Sequence, residues 1–169
     1  MKVGVMQLPA NIAFRPICDE DMAFLCQLYA TTRDYELNLV AWSETQKAEF
    51  LSFQFEAQHK HYMSHWPDAD YLIIEQDEQA IGRYYLHRRP DEFRLIDIAL
   101  MPTHRNQGLG GAIMCQLLQE AQQAQLPVRL HVEYMNPARR FYARLGFYLV
   151  EDKGIYHFME WSPTSSEGA

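Results

Sequence analysis

The chain has little of what would mark several common functions. It contains three cysteines, Cys18, Cys26 and Cys115, with no CxxC pair among them. That count and spacing exclude a disulfide framework and leave three reduced thiols. No apolar run approaches the length of a membrane span. The first fourteen residues carry one lysine and are broken by Pro9 and Asn11, so they lack the apolar stretch of a signal peptide. Basic residues are in deficit, 15 Lys plus Arg against 22 Asp plus Glu, for a formal charge of −7. A surface of that sign is poorly suited to phosphate backbones, which argues against a nucleic-acid partner. It favours cationic small substrates mildly, although the same charge also serves solubility alone. These absences predict a cytoplasmic protein with neither membrane nor nucleic acid as partner.

What is present is a globular composition, 48% hydrophobic with only eight Gly and eight Pro, which excludes a disordered or fibrous chain. At 169 residues, one domain can bury a full core. A single domain over residues 1–162 with a loose tail at 163–169 is expected. Met22, Leu25, Leu28 and Tyr29 recur at helical spacing after Asp19 and Asp21, and this helix is expected to fade near Asp34. Ser43 with Gln46 three residues on predicts a capped second helix, its apolar stripe running through Phe50, Phe53, Ala57 and His61 towards Trp66-Pro67. The period then changes. Tyr71 to Glu75 and Ala80 to Leu86 flank the polar turn Asp77-Glu78 as a hairpin, and Arg94 to Met101 forms a third strand stopped by Pro102.

Leu109, Ile113, Leu117 and Ala121 mark one face of a further helix, followed by a strand from Val128 to Tyr134. A short helix is expected next, with Asn136 as N-cap, Pro137 at its first position and Gly146 just past its end. A hairpin around Lys153-Gly154 closes the chain. Together these elements predict an α+β fold with a mixed sheet.

The segment Arg105-Asn106-Gln107-Gly108-Leu109-Gly110, between a strand and an amphipathic helix, has the makings of an anion site. The first N–H groups of a helix have no internal partner, and its dipole favours negative charge there. Gly108 and Gly110 offer no side chain to hold an anion off the backbone. Arg105 can add a charge-assisted contact. No lysine follows Gly108, Gly110 or Gly111, which speaks against a nucleoside triphosphate loop, and the third glycine of a dinucleotide fingerprint is missing. On its own, the loop also reads as a glycine-rich turn opening an ordinary helix.

A later run, Asn136-Pro137-Ala138-Arg139-Arg140-Phe141-Tyr142-Ala143-Arg144-Leu145-Gly146-Phe147, adds to the strand Asp97-Ile98-Ala99-Leu100 and the Arg105-x-x-Gly108-x-Gly110 loop. Together these resemble the GCN5-related N-acetyltransferases, in element order from about Ala10 to Trp161 and in specific motifs within residues 94 to 147. The resemblance implies a mostly antiparallel mixed sheet with a splayed strand pair, flanked by helices. It implies acetyl-CoA as acyl donor and an amine, on a small molecule or a protein, as acceptor. Ile98, Ala99 and Leu100 would then face the pantetheine, chiefly through backbone groups of Ile98 and Leu100. Arg105, Asn106, Gln107, Gly108, Leu109, Gly110 and Gly111 would hold the pyrophosphate, with Asn136 near the pantetheine arm. Tyr142 matches the family's general acid for the departing thiolate. A thiol near pKa 8.5 and a phenol near 10 make that transfer a modest mismatch. Tyr142 equally fits a core position in the stripe Ala138, Phe141, Tyr142, Leu145.

No base stands out: Asp97, His131 and Glu133 lie on the relevant strands, and alternation turns Asp97 away from Ile98. A CoA-binding sensor without turnover is the alternative. His59, His61 and His65 read as a solvated helix face rather than a metal site, and no metal is expected. Arg33 to Glu36 reads as a loop with some prospect of bordering an acceptor pocket, and Arg139, Arg140 and Arg144 as a solvated basic face. A homodimer is common in such families, but no interface is readable here.

Overall fold

The computed structural model describes residues 7–165. Its strands and helices run β1 (Ile12–Pro16), α1 (Met22–Thr31), α2 (Asp34–Leu37), α3 (Glu44–His65), β2 (Asp70–Gln76), β3 (Gln79–Arg88), β4 (Phe93–Leu100), α4 (Leu109–Ala124), β5 (Val128–Glu133), α5 (Ala138–Arg144), β6 (Tyr148–Asp152) and β7 (Tyr156–Trp161). The strands form one mostly antiparallel sheet in the order β1-β2-β3-β4-β5-β7-β6, with helices flanking it. This is the α+β class expected from the pattern. Two compact units divide the chain, one made of Ala10–Tyr84 with Ile98–Gln107, the other of residues 7–9, 85–97 and 108–165.

In the first unit, β1 pairs antiparallel with β2, Phe14 opposite Ile74. The two strands meet the start of α1 through charge. Arg15 Nη1 and Nη2 each donate to Asp21 at 2.8 Å, while Nε donates to Glu75 at 3.1 Å. Asp21 also accepts from the Cys18 N–H at 2.9 Å, so this buried carboxylate fixes the tight turn that leads into α1. α3 opens as expected, with Ser43 Oγ accepting from the Gln46 N–H and Gln46 Oε1 from the Ser43 N–H. Its buried side differs from expectation. The core is Leu25, Tyr29, Phe55 and Ile73, with Leu51 packed against it, whereas Phe53 stands 72% exposed and Phe50, Ala57 and His61 also face outward. Helix α3 carries two competing aromatic stripes, and α1 presents Leu25 and Tyr29 to the one containing Phe55. The stretch after Thr31, expected to be a loop, closes into the single turn α2, where Arg33 Nη1 lies 3.1 Å from Glu36 Oε1.

The β2–β3 turn places Asp77 and Glu78 at φ 51° and 66°, the left-handed pair that matches strand twist. Asp77 accepts from the Asn11 side chain at 3.3 Å. Gly82 in β3 admits no side chain. A Cβ there would lie 2.3 Å from the Ala99 carbonyl oxygen of β4.

The second unit centres on α4, whose buried arc is wider than the expected single face and includes Ala112, Met114 and Leu118 beside Leu109, Ile113, Leu117 and Ala121. Strand β5 pairs parallel with β4 at Phe93↔Val128, Arg94↔Arg129 and Leu95↔Leu130, and antiparallel with β7 along its whole length. Arg94 and Arg129 are therefore like charges directly opposed, which alone would destabilise the pair. Between them lies Glu92, 3% exposed, its Oε1 accepting from Arg94 Nη2 at 3.0 Å and its Oε2 from Arg129 Nη1 at 3.1 Å. Arg129 continues to Glu160 of β7 at 2.6 Å, and Glu160 accepts from the Tyr148 hydroxyl of β6. Helix α5 begins one residue later than expected. Pro137 precedes it, while Asn136 Oδ1 accepts from the Ala138 N–H at 2.9 Å and still does the work of a cap. The expected loose tail is tied at its start, since the Thr164 N–H donates to Gln122 Oε1 at 2.9 Å; residues 166–169 lie outside the described part.

Replacing Glu92 by Ala leaves two opposed guanidinium groups around an apolar gap. Chemical denaturation should show a loss on the order of 3–5 kcal/mol, and a loss below about 1 kcal/mol would mean that the strand register does not rest on this carboxylate. Arg15 holds the Asp21 carboxyl well below the usual carboxylate range, by hydrogen bonding first and charge second. A depressed folded-state pKa gives stability that is present above the unfolded value of about 4 and is lost as pH falls through the folded one. The melting-temperature gap between the native protein and Asp21→Asn should accordingly narrow as pH is lowered from 7 to below about 4.

Candidate functional site

Strand β4 leads into the candidate loop through a tight turn at Pro102–His104. The Ala99 carbonyl faces Gly82 of β3, and the Met101 N–H donates to Ile81 O at 2.8 Å. Because backbone groups alternate sides along a strand, those of Ile98 and Leu100 point to the opposite edge. Ala99 therefore cannot present its carbonyl alongside them. Arg105 is largely committed to its own loop. Its Nε donates to Leu100 O at 2.9 Å, and its Nη2 to Thr31 Oγ1 at 3.0 Å. The expectation that Arg105 serves the anion is thus joined by a structural task, fixing the turn to α1. Gln107 Nε2 donates to Thr103 O at 3.0 Å, a second brace.

Beyond these braces the backbone takes two left-handed residues, Asn106 at φ 60° and Gly108 at φ 82°. Alternation of this kind turns successive N–H groups towards one concavity, and such concavities bind anions. Gly108 is the N-cap of α4, and the first intrahelical bond runs from the Ala112 N–H to Gly108 O at 3.0 Å. The N–H groups of Leu109, Gly110 and Gly111 therefore have no acceptor within the helix. The α4 start also lies by α5, since a Cβ on Gly110 would meet only Phe141 Cζ, at 3.8 Å.

Next to Phe141, Tyr142 is buried, 8% exposed, with its ring centroid 5.6 Å from that of Phe147. Burial, then the charge of Asp97, pushes its phenol well above the ordinary value. The modest mismatch with a thiol that the sequence suggested is therefore larger, and Tyr142 keeps its proton across the working pH range. Asp97, one of three acidic or basic candidates on the strands, is the one placed within electrostatic reach of Tyr142. His131 is not suited to act as a base. Arg94 Nη1 lies 3.2 Å from its Nδ1 and Lys153 Nζ 3.3 Å from its Nε2, and burial followed by these two cations lowers its pKa. Protonation there would set three positive charges side by side. Asn136 has its Oδ1 occupied by the Ala138 N–H, which leaves its amide group as the free donor.

Other singled-out residues have plainer surroundings. His61 stacks on His65 with centroids 5.3 Å apart, and Arg139 Nη1 lies 3.0 Å from His157 Nδ1 of β7. Two residues that shape the loop escaped the sequence reading. Thr31, 74 residues from Arg105, gives no local signal. Gly82 gave one, a glycine inside a strand.

A family model described as Acetyltransferase (GNAT) family matches residues 35–147. Solved structures with similar folds include a PaiA N-acetyltransferase from Thermoplasma acidophilum in complex with coenzyme A, 18% identical, TM-score 0.66, covering 89% of this chain and 98% of that one. The ribosomal-protein-S18-alanine N-acetyltransferase from Escherichia coli is 17% identical with TM-score 0.61, covering 94% of this chain and 98% of that one. A GNAT family acetyltransferase from Elizabethkingia anophelis with acetyl-CoA bound is 13% identical with TM-score 0.59, covering 91% and 99%. Among curated proteins, none matches the sequence.

Gly110 separates an anion loop from an ordinary helix start. Gly110→Ala fits its surroundings and should keep or raise the melting temperature, since Ala is favoured over Gly in a helix by about 0.5–1 kcal/mol. Titration calorimetry should nonetheless show weaker binding of CoA, because the new methyl group lies among the open N–H groups; unchanged affinity would remove Gly110 from the anion site.

Proposed function

The chain belongs to the acetyltransferase (GNAT) family, and from that premise we propose that it transfers the acetyl group of acetyl-CoA to an amine of a small molecule or a protein. The observation that carries the reading is the left-handed pair Asn106 and Gly108 ahead of three open helical N–H groups, a cradle for a pyrophosphate. Strand β4 supports it. Its ladder with β5 ends at Leu95, and Ile98 and Leu100 turn their backbone groups away from β3. The Ile98 groups and the Leu100 N–H suit the amides of a pantetheine arm; the Leu100 carbonyl already accepts from Arg105.

With the donor so held, a neutral amine attacks the thioester carbonyl to give an oxyanion and an ammonium nitrogen; the nitrogen's proton passes to water, the carbonyl re-forms and the C–S bond breaks to release the thiolate. Tyr142 donates a hydrogen bond to the leaving sulfur. Asp97, beside Tyr142, favours the positive charge on the attacking nitrogen. The shifted phenol of Tyr142 also supports a second reading, a sensor that binds acyl-CoA without turning it over, because full proton transfer from it is uphill.

Calorimetry with CoA and thiol release with a panel of amines separate these. Binding at micromolar to millimolar CoA with amine-dependent thiol release is expected; binding without release supports the sensor, and absence of binding sinks both. Tyr142→Phe should lower turnover at least about ten-fold with CoA affinity nearly unchanged. Unaltered turnover, with chemistry shown to be rate-limiting, would remove Tyr142 from the reaction.

A further inference from the structure

The stripe of α3 that does not enter the core builds a second surface. Trp42, Gln46, Glu49, Phe50 and Phe53 line an open recess of about 490 Å³. The rings of Trp42 and Phe50 meet edge to face with centroids 5.1 Å apart, and Trp42, Phe50 and Phe53 are 41%, 37% and 72% exposed. Phe50 and Phe53, one turn apart on α3, and Trp42, just before its N-cap, are three large aromatic side chains left in water, at a cost in hydration free energy that nothing in the fold returns. The reciprocal Ser43–Gln46 hydrogen bonds fix the start of α3, and the Trp42–Phe50 contact orders two of the three rings before anything binds.

Charge narrows what fits. From Asp34 to Glu56 the sequence carries Asp34, Glu36, Glu44, Glu49 and Glu56 against one cation, Lys47. Lys47 lies 3.9 Å from Glu44, and Glu36 is engaged by Arg33. Glu49, by contrast, lines the recess and makes no hydrogen bond or ion pair among the described residues. An unpaired carboxylate at the rim of an aromatic recess attracts a cation twice, through its own charge and through the negative faces of the rings. An anion would be repelled by both. A neutral apolar ligand would gain only the contact area.

We propose that this recess binds an organic ammonium ion, its hydrocarbon body against Trp42, Phe50 and Phe53 and its charged nitrogen at the Glu49 carboxylate. A protonated nitrogen has no lone pair with which to attack a thioester, so the nitrogen held here is a recognition group and not the nucleophile. The inference concerns residues outside the donor loop and stands without acetyl transfer.

The test uses the full chain without CoA and compares n-hexylammonium with 1-hexanol at pH 7, two probes of similar length that differ in charge. Binding is followed by chemical shift changes at the Trp42 indole N–H, assigned with Trp42→Phe. Hexylammonium should bind roughly three- to ten-fold more tightly than hexanol, a preference of the size expected for an exposed cation–π and ion-pair site. Glu49→Gln should bring the two probes to parity, and Phe53→Ala should weaken both; each position is exposed, so neither change threatens folding. Equal affinities in the native protein, or a preference that survives Glu49→Gln, would overturn the proposal. So would silence at Trp42 with both probes; self-association that Phe53→Ala abolishes would then make the face an interface between copies.

Discussion

The Glu92 carboxylate is the constraint on which the site-bearing part of the sheet depends. A parallel strand pair of only three residue pairs is weak, and this one sets Arg94 against Arg129. Neither guanidinium tolerates the other at that distance without an anion, and Glu92 supplies it from within the same chain turn, nearly free of solvent. The same charge reaches β7 and β6 through Arg129, Glu160 and Tyr148. Register is thereby specified at one end of the β4–β5 ladder, where the charges are, and β4 runs on beyond it without needing β5. A strand fixed at its start and unpaired by β5 further along is what a ligand with peptide-like amides requires.

Elements whose cause is local could be read from the sequence. The Ser43–Gln46 box, the Asp77-Glu78 turn, the stop at Pro102 and the Leu109–Ala121 face each follow from residues within a few positions of one another, and each stands where the pattern put it. The orientation of α3 could not be read in that way. Phe50 and Phe53 are as hydrophobic as Phe55, and the choice between the stripes is made by Leu25 and Tyr29, some thirty residues earlier in the chain. The stripe of Phe50 and Phe53, expected in the core, is the one left exposed beside Trp42.

The loop divides in the same manner. Its two glycines and its place before an amphipathic helix were visible, as was the resemblance they carry. The task of Arg105 was not, because its partners are Leu100 O and the hydroxyl of Thr31, which no spacing rule connects to it. The basic residue that marks the motif spends two of its nitrogens on holding the backbone in shape. On the proposed reading, the backbone N–H groups then remain as the principal means of meeting a pyrophosphate, consistent with the left-handed geometry of Asn106 and Gly108.

Burial bears directly on the chemical role proposed for Tyr142. An unperturbed phenol is about 1.5 pKa units above a thiol, so donating to a thiolate is already uphill by about 2 kcal/mol. Burial and Asp97 both widen that gap. In the proposed transfer, a group so placed would stabilise a departing thiolate by sharing its proton rather than surrendering it, and water would protonate the sulfur on release. Asp97 opposes negative charge on the phenol, and in the proposed transfer it would favour positive charge on an attacking amine for the same electrostatic reason. The pair is therefore better matched to the early, amine-attack half of the reaction than to the late, thiolate-leaving half, and the burden of the late half falls on the low pKa of the thiol itself.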